Sequence, residues 1–210
     1  EIMSLSLTNG EVAKGLFASE AVKLLNPLSA DLDTLRQDLV FGACDAVARN
    51  ITRQRPDLRF FETGHVFERT TGSGKSEATM PLRNYVERSM LSLTLTGDLT
   101  SATWLGAASP VSVFHLKGYF DAVCAAYKVD PSALEYTEHS ADDGLYLYSL
   151  EVRLAAAGKG ATKPVLLGRL GQLSPQLLKR FGVKVAVFYA TLYTDVLEAH
   201  YAVADRLQVQ

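Results

Sequence analysis

The feature that most limits the fold is two-residue alternation sustained over long runs. In RSMLSLTLTG, from Arg88 to Gly97, Leu91, Leu93 and Leu95 alternate with Ser92 and Thr94, as in a strand with one apolar face. The same period runs through the opening IMSLSLT, which ends at a turn on Asn9-Gly10, and again from Leu145 to Leu154. DLRFFETGHVFER, from Asp57 to Arg69, is rich in aromatic residues and reads as a further strand, with Gly64 marking a bulge or a close backbone approach. KPVLLGRLGQL is a short buried strand, and VKVAVFYATL is a continuous β-branched and aromatic run suited to a central one.

Three segments switch to helical spacing. From Ser29 onward Leu32, Leu35, Leu39, Ala43, Val47 and Ile51 step by three or four, which gives one helix face. Ser29 reads as the N-cap, Asp31 and Asp33 lie where the helix dipole favours anions, and Pro27 discourages helix at Asn26. Gly42 inside this pattern costs up to about 1 kcal/mol against Ala and is expected to kink or split the helix. SVFHLKGYFDAVCAAYKV places Val113, Leu116, Phe120, Val123 and Tyr127 on one face. SPQLLKRFG is a compact helix capped by Ser174, with Pro175 in its first position and Gly182 as its stop. Strands at hairpin-like distances with helices between them predict the α+β class, an antiparallel β-sheet flanked by helices, in a single domain over residues 1–210.

Of the 210 residues 48% are hydrophobic and 21% charged, with a formal net charge of −2. This suits a globular domain with a real core and gives no basic bias toward nucleic acid. The one locally basic stretch, RNITRQRPDLR, matches a solvated helix end. Cys44 and Cys124 sit in apolar helical contexts and read as buried reduced thiols, which favours a cytoplasmic home. No apolar run approaches the ~20 residues a membrane span requires. The Glu-Ile start suggests a piece excised from something larger.

The motifs that carry chemistry are few. TGSGKS, Thr71 to Ser76, resembles the end of a phosphate loop, but Arg69 stands where the first glycine belongs and Met80-Pro81 opposes a helix after Lys75. His65, His115, His139 and His200 have no metal-ligand spacing among themselves or with the cysteines. TEHSADDG gathers Glu138, His139, Asp142 and Asp143, which reads as a turn before a strand and alternatively as an acid–base cluster. Core packing accounts for the Leu35–Leu39 stripe. A partner interface enters because the stripe continues past Gly42 while Val40 and Phe41 add a second apolar side.

The string LLNPLSADLDTLRQDLVFGACDAVARNITRQRPDLRFFETGHVF, Leu24 to Phe67, resembles the β subunit of bacterial phenylalanyl-tRNA synthetase in its catalytic-like domain. Asn-Pro-Leu-Ser, then Leu-Arg, then a helix with Asn and Arg, then an LRLFEIG-VF-like strand occur in order. Trp104, FHLKG at Phe114 to Gly118, and LLGRLGQLSPQLLKRF from Leu166 extend the match over nearly the whole chain. The element His139 to Gly144 departs from the family by lacking its Pro and Arg, and Ser174-Pro175 stands where His-Pro is usual.

The resemblance implies a class II synthetase-like fold without an active site. It implies a scaffold that packs against a catalytic α subunit in an α2β2 heterotetramer, and reaches tRNA(Phe) only through that holoenzyme. ATP and Mg2+ would be bound in the holoenzyme and not in this fragment, and the catalytic, cofactor and metal residues of this chain are none. It places Leu32, Leu35, Leu39, Val47 and Ile51 at the subunit interface, behind a helix entry fixed by Asn26, Pro27 and Ser29. Arg69 stands as a vestige of the phosphate-holding arginine, while VKVAVFYATLYTDVLEAHY supplies neither the glycine-rich strand nor the second arginine of such sites. The competing readings are an active class II-like adenylate-forming ligase that uses Arg69, and a phosphate-loop binder at Gly74 to Ser76.

Overall fold

The computed structural model describes residues 1–17, 19–69, 84–139, 144–155 and 163–208. In chain order the elements are β1 (Leu7–Thr8), α1 (Gly10–Ala13), β2 (Thr34–Leu35), α2 (Val40–Thr52), β3 (Leu58–Arg69), β4 (Tyr85–Thr96), β5 (Asp98–Thr100) and β6 (Ser109–Pro110). There follow α3 (Val113–Ala126), β7 (Leu134–His139), β8 (Tyr146–Leu154), β9 (Val165–Leu173), α4 (Pro175–Arg180), β10 (Val187–Tyr193) and α5 (Thr194–Gln208). Six strands form one sheet in the order β3-β4-β10-β9-β8-β7, and each neighbouring pair is antiparallel. This is the α+β class, with helices against an antiparallel sheet.

Both faces of the sheet are covered. On one, α2 contributes Val40, Phe41, Cys44 and Val47 and α4 contributes Leu177 and Leu178, packed against Leu58, Leu173, Val187 and Tyr189. On the other, Leu116, Phe120 and Cys124 of α3 and Leu197 of α5 meet Leu91, Leu95, Leu170, Ala190 and Leu192. The local capping logic holds at α4, where the Ser174 hydroxyl accepts from the Leu177 amide at 3.1 Å and donates to the Gly144 carbonyl at 2.6 Å. The fifteen residues of α5 continue beyond the β10 run, a helix that alternation in the sequence did not announce.

The segment before α2 departs from the sequence reading. The helix begins at Val40 and not at Ser29, and Leu39 occupies the N-cap without a side-chain cap. The backbone ahead of it is spent on extended pairing: Leu24 donates to Asp33 O, Leu35 to Val22 O and Arg36 to Ser6 O. The acids expected in a first helical turn serve turns instead, with Asp33 Oδ1 accepting from the Gly10 amide at 2.8 Å and from Thr34 at 2.9 Å. Ser29 Oγ accepts from the Asp31 amide at 3.2 Å in a local turn. Asn26, Pro27 and Ser29 are therefore exposed turn residues and do not form a helix entry.

The interface stripe is corrected with it. Leu39 and Val47 are fully buried in the chain's own core, Leu39 beside Val66 and Met90, and Ile51 packs against the cluster that holds Val47. Leu35 lies half-buried in β2, and half-buried Leu32 lies outside the helix altogether. What this segment offers to solvent is Leu25 and Leu28, 97% and 103% exposed. Gly42 does not split α2, which runs unbroken from Val40 to Thr52. A side chain there would collide with Ser4, so the glycine lets the N-terminal segment cross the helix.

Candidate functional site

Directly paired residues of an antiparallel ladder share a face. The register therefore lays Glu62, Ser92, Thr191, Arg169, Glu151 and Thr137, one from each strand, in a row across the sheet. The adjacent row on that face is Phe60, Thr94, Tyr189, Gly171, Ser149 and His139. On the opposite face the intervening row holds Leu93, Ala190, Leu170 and Leu150. Glu62, Ser92, Thr94, Thr191 and Ser149 are all buried. A polar floor under a covered face is costly unless satisfied, so its position is informative.

Each arginine that reaches this face is met by the chain's own groups. Arg36 extends beneath the N-terminal segment, its Nη1 2.9 Å from Glu62 Oε1, its Nε donating to His65 O at 2.9 Å, with Ser4 Oγ also at 2.9 Å. Glu62 Oε1 in turn accepts from the Ser4 amide and hydroxyl at 3.0 and 2.7 Å. Gly64 makes room for this guanidinium, since a side chain at that position would meet Arg36. The sequence suggested a bulge or a close backbone approach here; the ladder is unbroken, and what approaches is the Arg36 side chain. Arg169 donates to Ser149 at 2.9 Å and lies 4.5 Å above the Tyr146 ring. Arg88 lies 3.5 Å over the Tyr193 ring and bonds Asp195 at 3.4 Å, and Arg153 donates to Glu151 at 2.6 Å.

At the head of α2, Asp38 Oδ1 accepts from the Val40 amide at 2.9 Å and from Tyr189 Oη at 2.6 Å. Burial pushes the Asp38 carboxyl above the usual carboxylate range, against the Tyr189 hydrogen bond and the pull of Arg169. Burial also raises the Tyr189 hydroxyl far above its ordinary value, and the neighbouring Asp38 charge adds to it. The pair fixes the start of α2 to the centre of the sheet and closes this end of the polar floor.

Triphosphate binding needs cations free to turn toward a ligand, and these guanidiniums are engaged under or beside a covered sheet. Arg69 is no vestigial anchor on this floor: by register it alternates with Glu68 onto the opposite face, and its Nη1 pairs with Glu20 at 3.7 Å. A groove of about 670 Å3 runs between the N-terminal segment and α2, lined by Arg36, Asp38, Arg49 and Arg53 and by no residue of the polar row. Among the described residues no three His, Cys, Asp or Glu side chains are placed to hold a metal ion. His65 pairs with Glu87 at 3.1 Å, His115 accepts from the Ser112 amide at 3.0 Å, and His139 lies 3.8 Å from Glu151, so the histidines do not converge. Burial raises both thiols, Cys124 to about 12. The TGSGKS segment, Asp142 and Asp143 lie outside the described residues.

Among the described residues no helix is long and apolar enough to cross a membrane. Sequence reasoning missed the polar floor because Ser92 and Thr94 alternate as solvent-facing residues do. The signal available was the Glu62–Ser92 register combined with the Arg-Gly pair at positions 36 and 64, which only the fold brings together.

The family described as phenylalanyl tRNA synthetase beta chain CLM domain matches residues 1–194. The chain is 34% identical over 200 residues to the phenylalanine–tRNA ligase beta subunit of Porphyromonas gingivalis, covering 94% of this chain and 23% of that protein. It is 33% identical over 195 residues to the same subunit of Bacteroides fragilis, with 91% and 22% covered. The chain thus spans under a quarter of the length of these relatives. Among solved structures, a pyrrolysyl-tRNA synthetase, PylSc of Desulfitobacterium hafniense, superposes with a TM-score of 0.60 over 93% of this chain and 60% of that one, at 16% identity. That likeness concerns the fold, a class II synthetase one.

Proposed function

Because the chain belongs to the phenylalanyl-tRNA synthetase beta-chain CLM domain family, we propose that it is a non-catalytic scaffold domain of a β subunit, which packs against the catalytic α subunit and so supports attachment of phenylalanine to tRNA(Phe). In this reading the α subunit binds ATP and Mg2+, the assembly is an α2β2 heterotetramer in the cytoplasm, and this domain touches neither nucleotide nor amino acid. The observation that carries it is the Arg36–Glu62 pair at 2.9 Å, with side chains 7% and 1% exposed. Here the Arg36 guanidinium is turned inward as a strut between the N-terminal segment and β3. The exposed Leu25 and Leu28 replace the buried stripe as the apolar side chains this segment has to offer a partner.

Two measurements test the proposal. Size exclusion after co-expression with the cognate α subunit is expected to show one joint peak, and separate peaks overturn the scaffold role. Titration calorimetry with Mg-ATP and phenylalanine is expected to show no saturable heat from this chain alone. Micromolar binding would return the chain to the adenylate-forming reading.

A further inference from the structure

From Leu99 to Leu116 the sequence contains no Asp, Glu, Lys or Arg, in a chain of which 21% is charged. Burial does not explain this, since residues 101–107 are all exposed. Thr103 and Gly106 exchange both backbone hydrogen bonds, at 3.0 and 3.3 Å, so Trp104 and Leu105 form the two-residue tip of a tight hairpin. Such tips normally carry Gly, Asn or Asp, which suit the backbone and face water. Here the indole is 95% exposed and Leu105 81%, and Phe114 in the first turn of α3 is 79% exposed.

The arm that carries the tip is anchored. Asp98 and Thr100 pair with Pro110 and Ser109, Val111 donates to Gly97 O at 3.0 Å, and Arg59 donates to the carbonyls of Asp98 and Leu99. The base is tied to the sheet and its tip is turned outward, so little ordering is needed on binding.

The chemistry of the tip selects the occupant. A segment without cations suits neither a phosphate backbone nor an anionic lipid surface, both of which are held chiefly by Lys and Arg. Depletion of charge around an exposed Trp is the composition of a protein interface core, and Trp leads among its anchors. Three side chains, at roughly 150–250 Å2 for each aromatic, fall short of the roughly 800 Å2 per partner of a stable interface. A second copy would not be held by this knob alone, which instead fits a partner already positioned by other contacts.

We propose that the Trp104–Leu105 hairpin is a docking knob that inserts into an uncharged apolar pocket of the catalytic α subunit, a contact that rests on the scaffold reading above. It is separate from the Asn26-Pro27 turn. The hairpin springs from the sheet end at Leu58 and Thr96, whereas the turn follows the strand segment whose Glu20 pairs with Arg69 at the other end of β3.

The test measures binding of this chain to the purified α subunit by titration calorimetry. It compares wild type, Trp104→Ala/Leu105→Ser, Phe114→Ser and Trp104→Phe, with thermal melts for each and parallel titrations of tRNA and of anionic phosphatidylserine vesicles. The expected result is at least about tenfold weaker α-subunit binding for the double variant, partial recovery with Trp104→Phe and unchanged melting. Unchanged affinity of the double variant overturns the knob while leaving the scaffold role standing. A wild-type chain that does not bind the α subunit overturns both. Loss of tRNA or vesicle binding with α-subunit binding intact overturns the choice of partner.

Discussion

Asp38 and Tyr189, 151 positions apart, share a 2.6 Å hydrogen bond that joins the residue just before the Leu39 N-cap of α2 to the central strand β10. The same carboxylate oxygen accepts the Val40 amide at 2.9 Å, so one acid both starts a helix and sets its position over the sheet. No short-range pattern specifies such a contact, yet it determines where α2 begins and which face of the sheet it covers.

The raised Asp38 pKa gives a pH dependence with a definite sign. The unfolded carboxyl titrates near 3.8, and burial holds the folded one higher. Below pH 3.8 its favourable contribution is fully present. As pH rises the unfolded chain releases its proton first, and stability is lost until the folded value is passed. Asp38→Asn removes this titration and keeps an oxygen for Val40 and Tyr189. Urea melts across this window are expected to show wild type losing stability relative to Asp38→Asn, while Tyr189→Phe costs about 1–3 kcal/mol.

Arg36 and Glu62 are expected to behave as a buried pair that tolerates no single loss. Arg36→Ala or Glu62→Ala leaves an uncompensated charge and should cost about 3–5 kcal/mol. The double variant should cost less than the sum of the two, as coupled groups do. Gly64→Ala, which drives a methyl group against the Arg36 guanidinium, should cost about 1–3 kcal/mol. Denaturant midpoints of the four proteins check all three statements.

The N-terminal half separates core from contact surface. Leu39→Asp and Val47→Asp place a charge where the wild-type side chains are fully buried and are expected to abolish folding. Leu25→Asp and Leu28→Asp sit in open solvent and should move stability by no more than about 0.5 kcal/mol. If the Asn26-Pro27 turn meets the α subunit, these two variants will melt normally and co-elute poorly with it. Normal co-elution removes the turn from the interface.

The parts of this fold that were legible in sequence are those whose causes are local. Alternation located β4 and β8, aromatic enrichment located β3, short apolar runs located β9 and β10, and the Ser174-Pro175 start and Gly182 stop bounded α4. The helix start at Ser29 failed because its apolar periodicity was real but the Leu35 and Arg36 amides donate to Val22 and Ser6, while the Asp33 carbonyl accepts from Leu24. The stripe was correctly read as apolar and wrongly read as outward: Leu39 and Val47 face the home sheet. Ser92 and Thr94 alternate like solvent-facing residues, and only the N-terminal segment and α2 folding over them turn a wet face into a buried polar floor. Arg36 and Glu62 are 26 residues apart and acquire meaning together once Gly64 lets the guanidinium lie against β3.

The central claim is that the cations of this sheet hold the chain together and so are withheld from phosphate. Titration of the purified chain with Mg-ATP in the presence of phenylalanine tests it most directly. The account predicts no saturable heat up to about 1 mM nucleotide. Saturable micromolar binding, lost on replacing Arg88 or Arg169, would contradict it.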